Sequence, residues 1–436
     1  MTAPPGGGII QVASRVHVTH PLVPRRNMST PSATPYDLVI HAGRVLCPAT
    51  GRDGPGTVAV RGDRIAAVSL LSQTPTSSQT QTSSQTQTSS PDAAEGAALP
   101  LDSALQTLSM PDGILLPGLV DAHAHPALSG SKYGIAPDTH ILPYGSTTLL
   151  SQGDAGANNW ARYREETVAG SRTRILMALN LSASGESNEE GCFADLADAD
   201  VDDCVATIMQ DPDIIWGIAL NVGPTNCGGN DPREIMARAL EAAERTGKPL
   251  LVGQRRHDDW SLEEQFALLR PGDVVTYCFH ARGGSPVADG RVLDCVWEAR
   301  ERGILFDLGH GYDSFSFDIA ATAIAEGFLP DTISSDVYVR HVGANPRHHL
   351  PLVMSKLRAA GMQEADIWPR VTSRPAALLG LEHEIGALTP GACADLAVLR
   401  WHDAPQAHRD AAGNERQGGV WEPVLTVRGG EIVGSP

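Results

Sequence analysis

The sequence predicts an α/β protein whose larger part is a (β/α)8 TIM barrel. Three observations carry that prediction. An apolar run over 114–120 ends in Asp121-Ala122-His123-Ala124-His125. From that run onward short apolar segments alternate with helical stretches, the pattern of a parallel sheet with crossover helices. Eight such units fit between Ile114 and Asp336, and a barrel of this kind takes roughly 250 residues.

The elements follow in chain order. Residues 1–35 are rich in Gly, Pro and Ser and have no sustained period, so they are expected to be a disordered extension, with Met28 as a candidate translation start. Residues 36–70 read as a small β unit. Segment 37–40 reads as a strand that 43–46 continues after a turn, and 57–60 and 64–68 flank Gly62-Asp63, a hairpin signal. Residues 71–110 read as a linker, with Thr-Ser-Ser-Gln repeated and little apolar surface to bury,. The barrel is expected over 111–384. After its first strand, further strands are expected at 146–150, 174–181, 214–222, 249–252, 274–279, 304–308 and 332–335. Between them, Pro232–Thr246 carries Ile235, Ala239, Ala242 and Ala243 at helical spacing, and Gly247 follows as a C-terminal cap,. Helices are also expected at 350–360 and 374–381.

The bulk numbers exclude some partners. A net charge of −18 argues against nucleic acid or an anionic membrane surface, both of which need a basic face. Seven cysteines form an odd set with no Cys-x-x-Cys pair. They read as free thiols of a cytoplasmic protein. No apolar run is long enough to span a bilayer.

Chemistry is expected at the C-terminal ends of barrel strands. Residues two apart on a strand share a side, so His123 and His125 leave the first strand together. Asp336 ends the last. Taken alone it would read as a helix N-cap. Together the three can hold one divalent ion, zinc by preference, and leave a position open for water, whose pKa falls to about 7 at such sites. Asp336 is then also the general base and acid. Neighbouring strand ends supply substrate-binding candidates: Tyr277, His280, His310, Gln254 and Arg255, the arginines after the fifth strand, Arg255 and Arg256, being suited to a substrate carboxylate. Cys227 reads as neither ligand nor nucleophile, and His348-His349 reads as surface.

The stretch Leu115-Leu-Pro-Gly-Leu-Val-Asp-Ala-His-Ala-His125 resembles the first barrel strand of the amidohydrolase superfamily. Further matches, including Gly272-Asp-Val-Val-Thr-Tyr-Cys-Phe-His280, Gly303-Ile-Leu-Phe-Asp-Leu-Gly-His-Gly311 and Leu350-Pro-Leu-Val-Met-Ser-Lys356, narrow it to the deacetylase group related to dihydroorotases. The resemblance covers nearly the whole chain from Tyr36. It implies a small discontinuous β-sandwich domain built from 36–70 and 385–436, a small-molecule substrate and a non-peptide C–N bond as the target. Many relatives are homo-oligomers. It also implies two metal ions bridged by a carboxylated lysine, with two further histidines. This chain has Ala219, Gly253 and Tyr277 at those three places. The expectation is therefore one ion per chain. The alternative is a relative that has lost its metal centre and serves as a binding or assembly protein, or works without metal.

Overall fold

The computed structural model describes residues 36–71, 104–253 and 259–434. The expected N-terminal extension, most of the linker, Gln254, Arg255 and Arg256 lie outside the described residues.

In chain order the strands are β1 (Tyr36–Cys47), β2 (Arg52–Arg61), β3 (Arg64–Leu70), β4 (Ala104–Pro117), β5 (Leu119–Ala124), β6 (Ser146–Gln152), β7 (Arg174–Asn180), β8 (Ile215–Asn221), β9 (Leu250–Gly253), β10 (Val274–Thr276), the two-residue pair β11 (Val287–Ala288) and β12 (Arg291–Val292), then β13 (Leu305–Phe306), β14 (Leu396–Arg409), β15 (Glu415–Arg428) and β16 (Glu431–Val433). Two seven-stranded sheets result, besides the β11–β12 pair.

The first sheet has the order β13-β10-β9-β8-β7-β6-β5, and every pairing in it is parallel. Each strand lies beside its predecessor in this sheet, as short right-handed crossovers require. Helices cover it, among them Val201–Gln210, Pro232–Thr246 and Phe317–Ala325. All residues of β5, β6 and β9 are buried, which explains why these strands read as continuous rather than alternating runs. The segment expected as an eighth strand makes isolated parallel bridges on both sides, Asp307↔Thr332 and Ala124↔Val337. Leu308 N donates to Thr332 O (3.1 Å) and Asp336 N donates to His123 O (2.8 Å). The sheet is therefore curled, and residues 332–337 touch both of its edges.

The second sheet is mixed, with the order β16-β15-β14-β4-β1-β2-β3. It joins both ends of the described chain. Leu38, Ile40, Val58, Val60, Val398 and Leu425 share one buried core. Two details differ from the sequence reading. β4 begins at Ala104, inside the stretch read as linker, because it finds a parallel partner in β1. The apolar run 114–120 also serves both sheets. Ile114 to Pro117 pair with β14, and the first sheet begins at Leu119. Gly118 is the switch: its N–H donates to Asp395 O (2.7 Å), and a Cβ there would sit 2.2 Å from Thr147 Oγ1. Asp395 also takes Arg174 (2.6 Å) and Arg428 (3.0 Å), tying the sheets together. All seven cysteines are unpaired. No helix of the described residues is long and apolar enough to cross a membrane.

Candidate metal centre and active site

His123 comes from β5 and His125 from just beyond it, while Asp336 comes from the bridging segment. The fold brings these sequence-distant residues together. His123 Nε2 lies 3.5 Å from Asp336 Oδ1, and His125 Nε2 lies 3.3 Å from the same oxygen. One ligand atom from each falls within 4.8 Å of the others, and all three side chains are buried. Among the described residues no other trio of His, Cys, Asp or Glu converges this way.

The outer hydrogen bonds fix which ring nitrogen is presented. His123 Nδ1 meets Thr276 Oγ1 at 2.9 Å. That hydroxyl donates its own proton to Asp307 Oδ2 (2.8 Å), so it accepts from Nδ1–H and leaves Nε2 with a lone pair. Asp307 also receives Thr332 Oγ1 (2.6 Å) and Ser334 Oγ (2.7 Å). His125 Nδ1 donates to Asp154 Oδ1 (3.0 Å), which Ser131 (2.6 Å) and, at the other oxygen, Ser151 (2.6 Å) hold in place. Asp121 accepts Ser335 N (2.8 Å) and Oγ (2.5 Å), anchoring the residue before Asp336.

Two atoms of the trio, His123 Nε2 and Asp336 Oδ1, are buried and make no well-formed hydrogen bond. A buried polar atom left unsatisfied costs about 1–3 kcal/mol. Both are acceptors here, and they face each other. Burial pulls the His125 imidazole down, but Asp154 and Asp336 outweigh it and hold the group well above its ordinary range. A carboxylate and the His123 lone pair aimed at one spot, beside a His125 Nε2 whose proton a cation would displace, are the chemistry of a cation site,. The residues present fit a divalent ion.

Backbone strain gathers at the same place. Asp336 has φ 46° and Tyr277 has φ 68°, left-handed conformations that cost about 1–3 kcal/mol each for residues with side chains. The chain around them is shaped to hold them. A Cβ on Gly311 would lie 2.3 Å from Asp336 Oδ2, and one on Gly309 would lie 2.8 Å from the Tyr277 ring. Gly311→Ala is accordingly expected to displace Asp336 and to cut metal affinity at least tenfold, as measured by competition with a chromophoric chelator.

A polar cavity of about 90 Å³ opens beside the trio. Tyr277 lines it with Gln152, Asn221, Tyr133, Tyr338 and Glu186. The Tyr277 ring centroid is 5.2 Å from that of His123. Burial pushes the Tyr338 phenol up to about 12 and raises Tyr133 too, so both stay protonated donors. Burial also raises the Glu186 carboxyl, against the pull of Cys192 Sγ, which donates to it at 3.0 Å.

The other expected site residues are placed as follows. Ala219 packs among Leu150, Ala178 and Leu251, and a Cβ on Gly253 would lie 2.9 Å from Asn221 Cγ. The Asn221 side chain thus fills the room a longer residue at 253 would need. His280 is buried, and its Nδ1 accepts from Arg282 N (3.1 Å); it does not line the small cavity. His310 turns to a different cavity, where its Nε2 meets Lys356 Nζ at 3.2 Å. Cys227 is fully buried. His348, expected at the surface, is buried and donates from Nε2 to Ser335 O (2.8 Å). The reading of residues missed Thr276, Asp307, Glu186, Tyr133 and Tyr338. Asp307 alone left a signal, as a carboxylate inside the apolar run 304–308.

Comparison with known proteins gives the setting. No family profile matches the chain. A deacetylase of Agrobacterium fabrum is 31% identical over 350 residues, covering 78% of this chain and 84% of the relative. A deacetylase of Enterococcus faecalis is 29% identical over 336 residues, covering 76% and 89%. Among solved structures, an adenine deaminase and a dihydroorotase each superpose with a TM-score of 0.75 at 27% identity, over 91% of this chain and 99% and 97% of theirs. Such neighbours imply the TIM-barrel fold for the curled parallel sheet. By these relatives the chain belongs to the amidohydrolase superfamily and is a hydrolase of carbon–nitrogen bonds other than peptide bonds.

Proposed function

We propose that the enzyme hydrolyses an amide or cyclic amide of a small molecule with one divalent ion, zinc by preference, held by His123, His125 and Asp336. The observation that carries this reading is the pair of buried acceptors without a well-formed hydrogen bond, His123 Nε2 and Asp336 Oδ1, set against His125 Nε2. When bound, the ion supplies Lewis acidity, which at open zinc sites brings the pKa of water to about 7. The protein's own groups do the rest. Asp336 takes a proton from the attacking water and returns it to the leaving nitrogen. Thr276 and Asp154 keep the imidazoles in the tautomer that faces the site. The Tyr277, Tyr133 and Tyr338 hydroxyls orient the substrate carbonyl and polar substituents. The cavity's size and polar lining suit a compact acyl group such as the acetyl that a deacetylase removes.

Finer points of architecture belong with this reading. Residues 332–337 serve as the eighth strand of a closed (β/α)8 barrel, and the second sheet, curled over its own core, is the small discontinuous domain, with 104–117 added to 36–70 and 385–436. A cytoplasmic setting accords with the seven unpaired thiols,.

The loss of a metal-bridging lysine and two histidines favours the rival reading, a binding protein or metal-independent activity. Elemental analysis of protein purified without chelator separates the two. About one ion per chain, lost together with turnover in His123→Ala, is expected. An ion-free wild-type protein, or a fully active His123→Ala, refutes the metal reading.

A further inference from the structure

A second cavity, of about 630 Å³, plays no part in the chemistry above. His310, Gly311, His341, His348, Lys356 and Asp410 line it, and none of the three metal-site side chains does. What it leaves unmet are donors. Lys356 Nζ donates to His310 Nε2 (3.2 Å) and forms no ion pair among the described residues. His310 Nδ1–H is committed to Gly311 O (2.8 Å), so its Nε2 is an acceptor and takes a single ammonium proton,. Two N–H groups of the ammonium remain. His341 Nδ1 accepts from Tyr338 N (3.2 Å), which leaves the proton on Nε2. That Nε2 is buried and makes no well-formed hydrogen bond. Gly311 O, which accepts from His310 Nδ1–H, still offers its second lone pair to it, but without the alignment of a full hydrogen bond,.

The one carboxylate in the cavity is spent. Asp410 accepts from Phe317 N (3.1 Å), Ala412 N (3.0 Å), Asn414 N (2.9 Å) and Asn414 Nδ2 (3.1 Å). Burial pulls the Lys356 amine down to about 8, with Asp410 acting against it from a distance. Burial also holds His310 and His348 well below the ordinary imidazole range and His341 at about 4. At neutral pH the imidazoles are therefore neutral; Arg409, which also lines the cavity, is paired with Glu415 (2.7 Å), so the Lys356 ammonium is the cation left without an ion pair among the described residues.

We propose that this cavity binds a small oxyanion, a carboxylate or a phosphate, through the Lys356 ammonium and the His341 N–H. A half-buried ammonium that forms no ion pair among the described residues, with a poorly satisfied N–H lining the same cavity, calls for a ligand that only accepts and carries negative charge,.

Calorimetric titration of the metal-replete full chain with inorganic phosphate and, separately, with acetate at fixed ionic strength tests this. Saturable one-to-one binding of at least one of them is expected. Lys356→Met should weaken it by about 10–100-fold, the value of a charge-assisted hydrogen bond. Lys356→Arg, which keeps the charge, should lose less. His123→Ala should bind as the wild type does, which separates this cavity from an oxyanion held at the metal and makes the outcome independent of the hydrolase reading. Which anion binds identifies the source. If Lys356→Met is misfolded by near-ultraviolet circular dichroism, His341→Phe takes its place, with a loss of about tenfold expected. No saturable binding of either anion, wild-type affinity in the Lys356 or His341 variant, or loss of binding in His123→Ala overturns the proposal.

Discussion

Asp336→Asn is expected to lower kcat by about 10²–10⁴-fold, the range that a positioned general acid–base contributes, with a smaller change in KM. Asparagine keeps the shape and one carbonyl oxygen, but it cannot take a proton from water. Its Oδ1 would still face His123 and His125, now 3.5 and 3.3 Å from Asp336 Oδ1, so some metal should stay bound. Asp336→Ala removes the oxygen as well and is expected to lose the ion together with turnover. Comparing metal content with kcat across the two variants separates the proton-transfer role from the ligand role. Should Asp336→Asn keep wild-type kcat with its metal, the carboxylate is a ligand only and the base lies elsewhere, with Glu186 on the cavity wall the first group to test.

The trio was legible because each member announces itself locally. His123 and His125 stand two apart at the end of an apolar run, and strand geometry then aims them alike. Asp336 closes another apolar run at the far end of the strand order. What supports them was not legible. Thr276 reads as an ordinary strand residue, and only the three-dimensional neighbourhood of His123 gives its hydroxyl a task. Tyr277 was visible as a departure from the family pattern. Its left-handed backbone was not, because such a conformation is imposed by packing, here against Gly309. The split of 114–120 between two sheets was hidden for a similar reason. Burial makes every residue of the run apolar, and only Pro117-Gly118 marks the change of partner. His348 was misplaced because a histidine pair after Asn345-Pro346 resembles a polar loop. The bond to Ser335 O that draws it inward is long-range.

The largest structural effect is expected from Asp307→Ala. The Asp307 carboxylate is buried and accepts Thr276 Oγ1, Thr332 Oγ1 and Ser334 Oγ at 2.8, 2.6 and 2.7 Å. These hydroxyls come from β10 and from the segment that bridges β13 and β5, so one side chain ties the end of β10 to the segment that carries Asp336. Removing it strands three buried donors. At about 1–3 kcal/mol for each unsatisfied group, partly relieved by rotation and entering water, the expected loss is about 3–5 kcal/mol, read as a lower denaturation midpoint in urea. A second effect reaches the metal. Thr276 holds the His123 tautomer only while its own proton goes to Asp307. Freed, the hydroxyl can turn and offer that proton to Nδ1 instead, which favours the tautomer with Nε2 protonated and unable to ligate. Metal affinity should fall by about 10–100-fold. Thr276→Val isolates this second effect, because it leaves Asp307 its other two donors. It should lose metal affinity with a smaller loss of stability. If Asp307→Ala unfolds more easily yet binds metal as tightly as the wild type, the Thr276 link carries no weight, and His123 is oriented by packing against Tyr277 alone.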